Sequence, residues 1–211
     1  MIHPEVKPYL LNTILPRYAA YDKGHNEDHI LKVVANAMAL SAFYPVDETM
    51  LYVAAIYHDL GLCQGRTLHH IHSAELFLED AFLQPYFDEA QRKTIAEAIE
   101  DHRASSKSEP RSIYGKLLAE ADRDIHAVNI VRRTVQYGLM HYPELNQEEH
   151  YERLYAHLQA KYAEGGYLRL WIPESDNATQ LAQLRAMMKQ EGALKKLFDE
   201  LYTYEKSESC V

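Results

Sequence analysis

The sequence predicts an all-α fold, and three observations carry that prediction. Apolar residues recur at helical spacing almost throughout, with Ile30, Val33, Val34, Ala37 and Met38 following i, i+3, i+4, i+7, i+8. Alternating, strand-like patterns are nearly absent. Glycine and proline, 8 of each in 211 residues, sit mostly between the long periodic segments.

Taken in order, helices are expected near residues 5–20, 26–43, 48–60, 69–82, 88–103, 111–126, 127–141, 147–163 and 177–203. The second carries the stripe just named. The third has Asp47 as its cap, Leu51, Ala54 and Ala55 on one face, and Gly61 as its stop. Ile95, Ala98 and Ile99 define the buried face of the fifth, and Leu118, Ala121 and Ile125 that of the sixth. The run KYAEGGYLRLW at 161–171 breaks periodicity at Gly165–Gly166 and reads as a helix–helix connection with core aromatics, or as a wall stacking on a base.

Composition narrows the class. With 47% hydrophobic and 25% charged residues the chain is an ordinary globular protein, not a disordered, collagen-like or disulfide-stapled one. Its length fits one domain, 1–211, better than two. The 22 Lys and Arg against 31 Asp and Glu leave a net charge of −9, which repels polyphosphate. Non-specific binding of long nucleic acid is therefore not expected, whereas a small anion fits if its pocket is locally positive. Cys63 and Cys210 form no CxxC pair and read as a buried thiol and a frayed-tail thiol in a reducing compartment. The longest apolar run, Met50–Tyr57, has 8 residues. A bilayer needs about 20, so no membrane span is expected. The opening MIHPEVKPYL has neither a basic patch nor an apolar stretch, so a cytoplasmic location is expected. A homo-oligomer is compatible with all of this.

Histidine is the anomaly. Of 12, eight lie between residues 25 and 126: His25, His29, His58, His69, His70, His72, His102 and His126. Several fall on stripes that should be apolar. His29 shares the face of Ile30 and Val33; His58 and Asp59 extend that of Leu51; His102 extends that of Ile95; Asp122 sits among Leu118, Ala121 and Ile125. One core-facing histidine is ordinarily just hydrogen-bonded. Two carboxylates beside several imidazoles are another matter, because burying an unpaired carboxylate costs several kcal/mol. No Lys or Arg occupies those stripe positions, so a divalent cation is the economical compensation. Adjacent side chains on a helix diverge by roughly 100°. His58 and Asp59 can both reach one ion only from the edge of a face or near a helix end, and Gly61 puts such an end two residues later.

HNEDHILKVV at 25–34, AAIYHDLG at 54–61, HHIHSAE at 69–75, AIEDHR at 98–103 and GKLLAEADRD at 115–124 together resemble the HD superfamily of metal-dependent phosphohydrolases, named for the His58–Asp59 doublet. The resemblance covers roughly residues 20–130, the expected metal-binding core, with 131–211 as a C-terminal helical extension. It implies a helical bundle in which His29, His58, Asp59 and Asp122 match the core metal ligands. In branches with two further histidines, two ions share the doublet Asp. Here His102 matches one of those histidines. His69 matches the other when Ser73 is aligned with the family's glycine, with His70 and His72 as alternatives. His25 fits better beside the site than in it.

The resemblance further implies hydrolysis of a small phosphate ester or anhydride, such as a nucleotide. One or two divalent ions (Mn, Fe, Co, Mg, Ni or Zn) would activate water and polarise the phosphoryl group. Cations are then needed for the remaining phosphate oxygens. Lys116, Arg103, Arg123 and Arg111 are the candidates, with Asp59 central to catalysis and Tyr114 near enough in sequence to touch substrate. Two rival readings stay open: a di-iron, O2-dependent oxygenase of the HD-like type, and a metal-containing sensor or interaction domain without turnover.

Overall fold

The computed structural model describes residues 1–21, 24–103 and 108–208. Every regular element among the described residues is helical. Among them, none is long and apolar enough to cross a membrane.

The segment expected as one helix over 5–20 is helical in path but changes pitch twice. α1 (Val6–Tyr9) runs into a wide π turn at Leu10–Ile14 and then a tight 3-10 run at Leu15–Ala20. Pro16 is the reason: it has no N–H to give the carbonyl four residues back, and its ring crowds that carbonyl. α2 (Glu27–Ser41) starts where the Asn26 side chain accepts the His29 N–H, with Glu27 and Asp28 complementing its positive end. α3 (Glu48–Tyr57) is capped by Asp47 Oδ1, which accepts the N–H groups of Thr49 and Met50. Every residue of α3 from Thr49 to Tyr57 is buried, so this helix is the central post of its unit, and the longest apolar run in the sequence is its signature.

A short 3-10 turn (Leu60–Gln64) leads to α4 (His69–Leu78). α5 (Glu89–Asp101) opens with a capping box of Asp88 and Gln91. α6 (Ile113–Ala121) opens where Ser112 Oγ accepts the Gly115 N–H, and stops at Asp122, short of the expected 126. α7 (Ala127–His141) and α8 (Gln147–Lys161) follow the sequence pattern. The helix expected over 177–203 is two, α9 (Asn177–Lys189) and α10 (Ala193–Glu208), separated by Gly192 at φ +74°. That left-handed backbone is open to glycine and ends a helix.

Two compact units result. The first comprises Met1–Arg123 with Trp171–Ser175, the second Asp124–Leu170 with the chain from Asp176 onward. In the first, α3 is packed by Ile30, Leu60, Phe77, Ile95 and Leu117. Tyr18 and Tyr21 donate to the carbonyls of Ile56 and Leu60, pinning the N-terminal segment to the end of α3. In the second, Val131, Leu154, Leu158, Leu184 and Phe198 form a separate core. The segment 161–171 connects α8 to α9, and its last residue returns to the first unit with 172–175. Cys63 is exposed rather than buried, because it lies on the outer side of the 3-10 turn; Cys210 lies outside the described residues.

Candidate metal centre

Six side chains from five parts of the first unit meet at Asp59. His29 comes from the first turn of α2 and His58 closes α3. Asp59 leaves the helix at φ −108°, ψ 2°, and this break lets two consecutive side chains aim at one place. His69 begins α4, His102 follows the last residue of α5, and Asp122 closes α6. Each stands at a helix end, where the side chain has room to turn inward.

The two oxygens of Asp59 face different partners. Oδ2 lies 3.6 Å from His29 Nε2 and 3.3 Å from His58 Nε2, and Asp122 Oδ1 lies 3.3 and 3.7 Å from the same two nitrogens. Oδ1 lies 3.3 Å from His69 Nε2 and 3.6 Å from His102 Nε2. Two donor sets therefore share one carboxylate: His29, His58, Asp122 and Asp59 on one side, His69, His102 and Asp59 on the other.

The rings are fixed from behind. His58 Nδ1–H donates to Ala55 O at 2.8 Å, His102 Nδ1–H to Ile99 O at 2.6 Å, and His69 Nδ1–H to Arg66 O at 2.8 Å. A carbonyl only accepts, so each Nδ1 carries its hydrogen and each neutral ring presents a bare lone pair at Nε2. With both rings neutral, His69 Nε2 and His102 Nε2 face one another at 3.3 Å, lone pair to lone pair, beside an anionic oxygen. His29 Nε2 and His58 Nε2 are buried without a hydrogen-bond partner. Such an arrangement is repulsive unless positive charge lies between its members. Ligand bonds of about 2.1 Å put neighbouring donors roughly 3.0–3.4 Å apart, close to the spacings here. Nitrogen and carboxylate oxygen are the donors that divalent transition metals take. The residues fit a metal centre.

Electrostatics agree. Burial pushes the Asp59 carboxyl up, but the imidazoles, His58 foremost, outweigh it and hold the group well below the usual carboxylate range. Burial likewise raises Asp122, and His29 overrides it downward. Burial lowers His29, yet Asp122 and Asp59 lift it to about 9. His102 is also raised, Asp59 overcoming burial, whereas burial together with its neighbour His102 brings His69 down to about 4. Ionised carboxylates that draw protons onto nearby imidazoles are a cluster calling for cationic charge.

Of the three histidines the sequence offered at the start of α4, His69 is the one brought to Asp59. His70 and His72 have buried Nδ1 atoms without partners and belong to no such grouping among the described residues. The His25 ring lies edge-on to His29 at 6.0 Å. Among the cations, Arg111 is bound to Asp101 and Glu100, and its backbone N–H also donates to Asp101. Arg123, 6% exposed and just past the end of α6, donates to Ala119 O and stands 3.7 Å from Glu120. Arg103 donates to Thr67 O at 2.9 Å, and Lys116 pairs with Glu109 at 2.5 Å. Tyr114 is engaged too, its hydroxyl accepting the Asp47 N–H.

Three features of the site lie beyond the sequence reading. Gly61 N–H donates to Ser73 Oγ, so the serine standing where the family's motif has glycine ties α4 to the doublet turn. Buried Glu120 accepts the Trp171 N–H and the Ser175 hydroxyl, holding 171–175 against α6. The carbonyls that orient the three rings belong to the main chain and leave no mark in side-chain identity.

The HD domain family model matches residues 26–125, the stretch that contains all six converging residues. Residues 26–125 thus match an HD domain, consistent with membership of the HD superfamily. That superfamily is one of metal-dependent phosphohydrolases, and the His/Asp cluster described above can hold a divalent metal. No curated protein and no solved structure matches the chain.

Proposed function

We propose that this chain hydrolyses a small phosphate ester or anhydride, such as a nucleotide, at a site that would hold two divalent ions, with Asp59 common to both sets of ligands. The observation that carries the reading is the division of the Asp59 oxygens between two imidazole pairs, one of which opposes lone pairs at 3.3 Å. When bound, the ions supply Lewis acidity: they lower the pKa of water and polarise the phosphoryl oxygens. His29, His58, Asp59 and Asp122 would hold one ion, and His69, His102 and Asp59 the other.

The chain's own groups set the direction of approach. His58, His102 and Asp59 are nearly sealed, at 0%, 3% and 7% exposure, while His29 at 18% and Asp122 at 25% form the open side. Substrate therefore meets the centre from the α2 and α6 side. Lys116, on α6, is the cation we assign to the remaining phosphate oxygens. Its partner Glu109 is 61% exposed, and a surface pair of that kind contributes little and yields readily to a phosphate. The acidic net charge favours a small substrate over long nucleic acid.

The test is a screen of nucleoside mono-, di- and triphosphates, dinucleoside polyphosphates and sugar phosphates with Mn²⁺, Co²⁺, Mg²⁺ and Fe²⁺. Oxygen uptake is followed in parallel. Metal-dependent phosphate release that Asp59→Ala abolishes is expected. Oxygen consumption by the iron-loaded protein without phosphate release would overturn the reading in favour of an oxygenase, and two bound ions with no turnover on any phosphate would leave a non-catalytic metal domain.

A further inference from the structure

We infer that Arg103 is a positioning residue for the second ion pocket, acting on His69 through the main chain of residues 65–68. The inference rests on the two-ion reading above. It starts from a difference among the three ring tethers. His58 and His102 each donate Nδ1–H to a carbonyl three residues earlier, Ala55 and Ile99, both inside regular helices that hold those carbonyls rigidly. His69 also donates three residues back, but its acceptor is Arg66 O, in an irregular stretch that follows Gly65 at φ +109° and precedes an α4 with no side-chain cap. An imidazole is aimed no better than its acceptor is fixed.

Arg103 supplies the fixing. Its Nη1 donates to Thr67 O at 2.9 Å, one peptide from the carbonyl that orients His69. Arg103 also follows His102 directly in sequence, so this one hydrogen bond joins the stretch that aims His69 to the end of α5 that carries His102. The two imidazoles whose Nε2 atoms stand 3.3 Å apart are thereby held in one frame. The other pocket needs no such help: His29 is set by the Asn26-capped turn of α2, and Asp122 by a main-chain bond from its N–H to Leu118 O at 3.0 Å. Losing Arg103 should therefore unequalise the pockets rather than damage both.

The experiment is a Mn²⁺ titration of metal-free full-length protein, read by equilibrium metal content and by the spin-coupled signal of an ion pair in electron paramagnetic resonance. Wild type, Arg103→Met, Arg103→Gln, Arg103→Lys and His69→Ala are compared. Wild type is expected to take two ions per chain. Arg103→Met and Arg103→Gln should keep the tighter ion unchanged and bind the second more weakly, by up to the roughly 10- to 100-fold that losing a ligand's own outer hydrogen bond costs, since Arg103 acts one step further out. Arg103→Lys, which can still donate to Thr67 O, should recover most of the loss, and His69→Ala should abolish the coupled signal. Two ions of wild-type affinity in the Met and Gln variants would overturn the role of Arg103, as would equal weakening of both ions. One ion or none in wild type would instead remove the two-ion reading on which the inference stands.

Discussion

Gly61→Ala tests whether the doublet turn and α4 are packed as tightly as their geometry says. A Cβ at position 61 would stand 2.3 Å from His69 O, 2.5 Å from Ser73 N and 2.8 Å from His72 Cβ. The first two are backbone atoms, so no side chain can swing aside. Restoring an ordinary 3.4 Å contact requires 3.4 − 2.3 = 1.1 Å of movement between the turn and α4. Overpacking of this kind costs about 1–3 kcal/mol, and losing the Gly61 N–H bond to Ser73 Oγ adds about 1 kcal/mol. A total near 3 kcal/mol lowers the melting temperature by roughly 6–12 °C for a chain of this size. Scanning calorimetry of the metal-free protein measures it. The same movement carries His69 away from Asp59 Oδ1, now 3.3 Å distant, so the second Mn²⁺ equivalent should be lost as well. Gly65→Ala is the control. Nothing lies within 4 Å of its added carbon, and the cost comes from φ +109° alone, about 1–3 kcal/mol. A Gly61→Ala protein that melts within 2 °C of wild type and still binds two ions would refute the packing argument.

Asp59→Asn removes the one charge shared by both donor sets, so the thermal stabilisation that Mn²⁺ gives wild type should vanish, whereas His102→Ala should retain one equivalent; a ligand at 100 times its Kd stabilises by about 2.7 kcal/mol, which calorimetry resolves. His29, lifted to about 9 by Asp122 and Asp59 against burial, keeps a proton at neutral pH in the metal-free protein. Ion uptake at pH 7.5 should then release about one proton from it, and affinity should climb as pH approaches 9; calorimetry in buffers of different ionisation enthalpy that detects no proton release would contradict this. The same raised value means that this proton's contribution to metal-free stability is full below the unfolded value near 6.5 and is lost as pH rises through about 9. Glu120→Ala leaves the Trp171 N–H and the Ser175 hydroxyl without their acceptor, which costs about 1–3 kcal/mol. Trp171 is the chain's one tryptophan, so its fluorescence should shift to the red at lower denaturant than in wild type.

The helical class and the four core positions were legible because both rest on periodicity. A residue that breaks an apolar stripe announces itself, and His29, His58, Asp59 and Asp122 all do. The choice among His69, His70 and His72 was not legible, since three histidines in the first turn of one helix differ only in direction, and direction depends on where α4 meets the turn at Gly61. The cations were harder still. Sequence cannot say which carboxylate a guanidinium will find, and Arg111 is claimed by Asp101 and Glu100. Boundaries failed where a single backbone feature intervenes: Pro16 in the first segment and Gly192 between α9 and α10.

The three imidazoles tethered through Nδ1 carry a thermodynamic consequence. Immobilising a flexible side chain on association costs about 0.5–1.5 kcal/mol. Here His58, His69 and His102 are already immobilised by folding. An arriving cation meets rings that have surrendered their rotational freedom in advance, and that entropy is charged to the fold rather than to the ion.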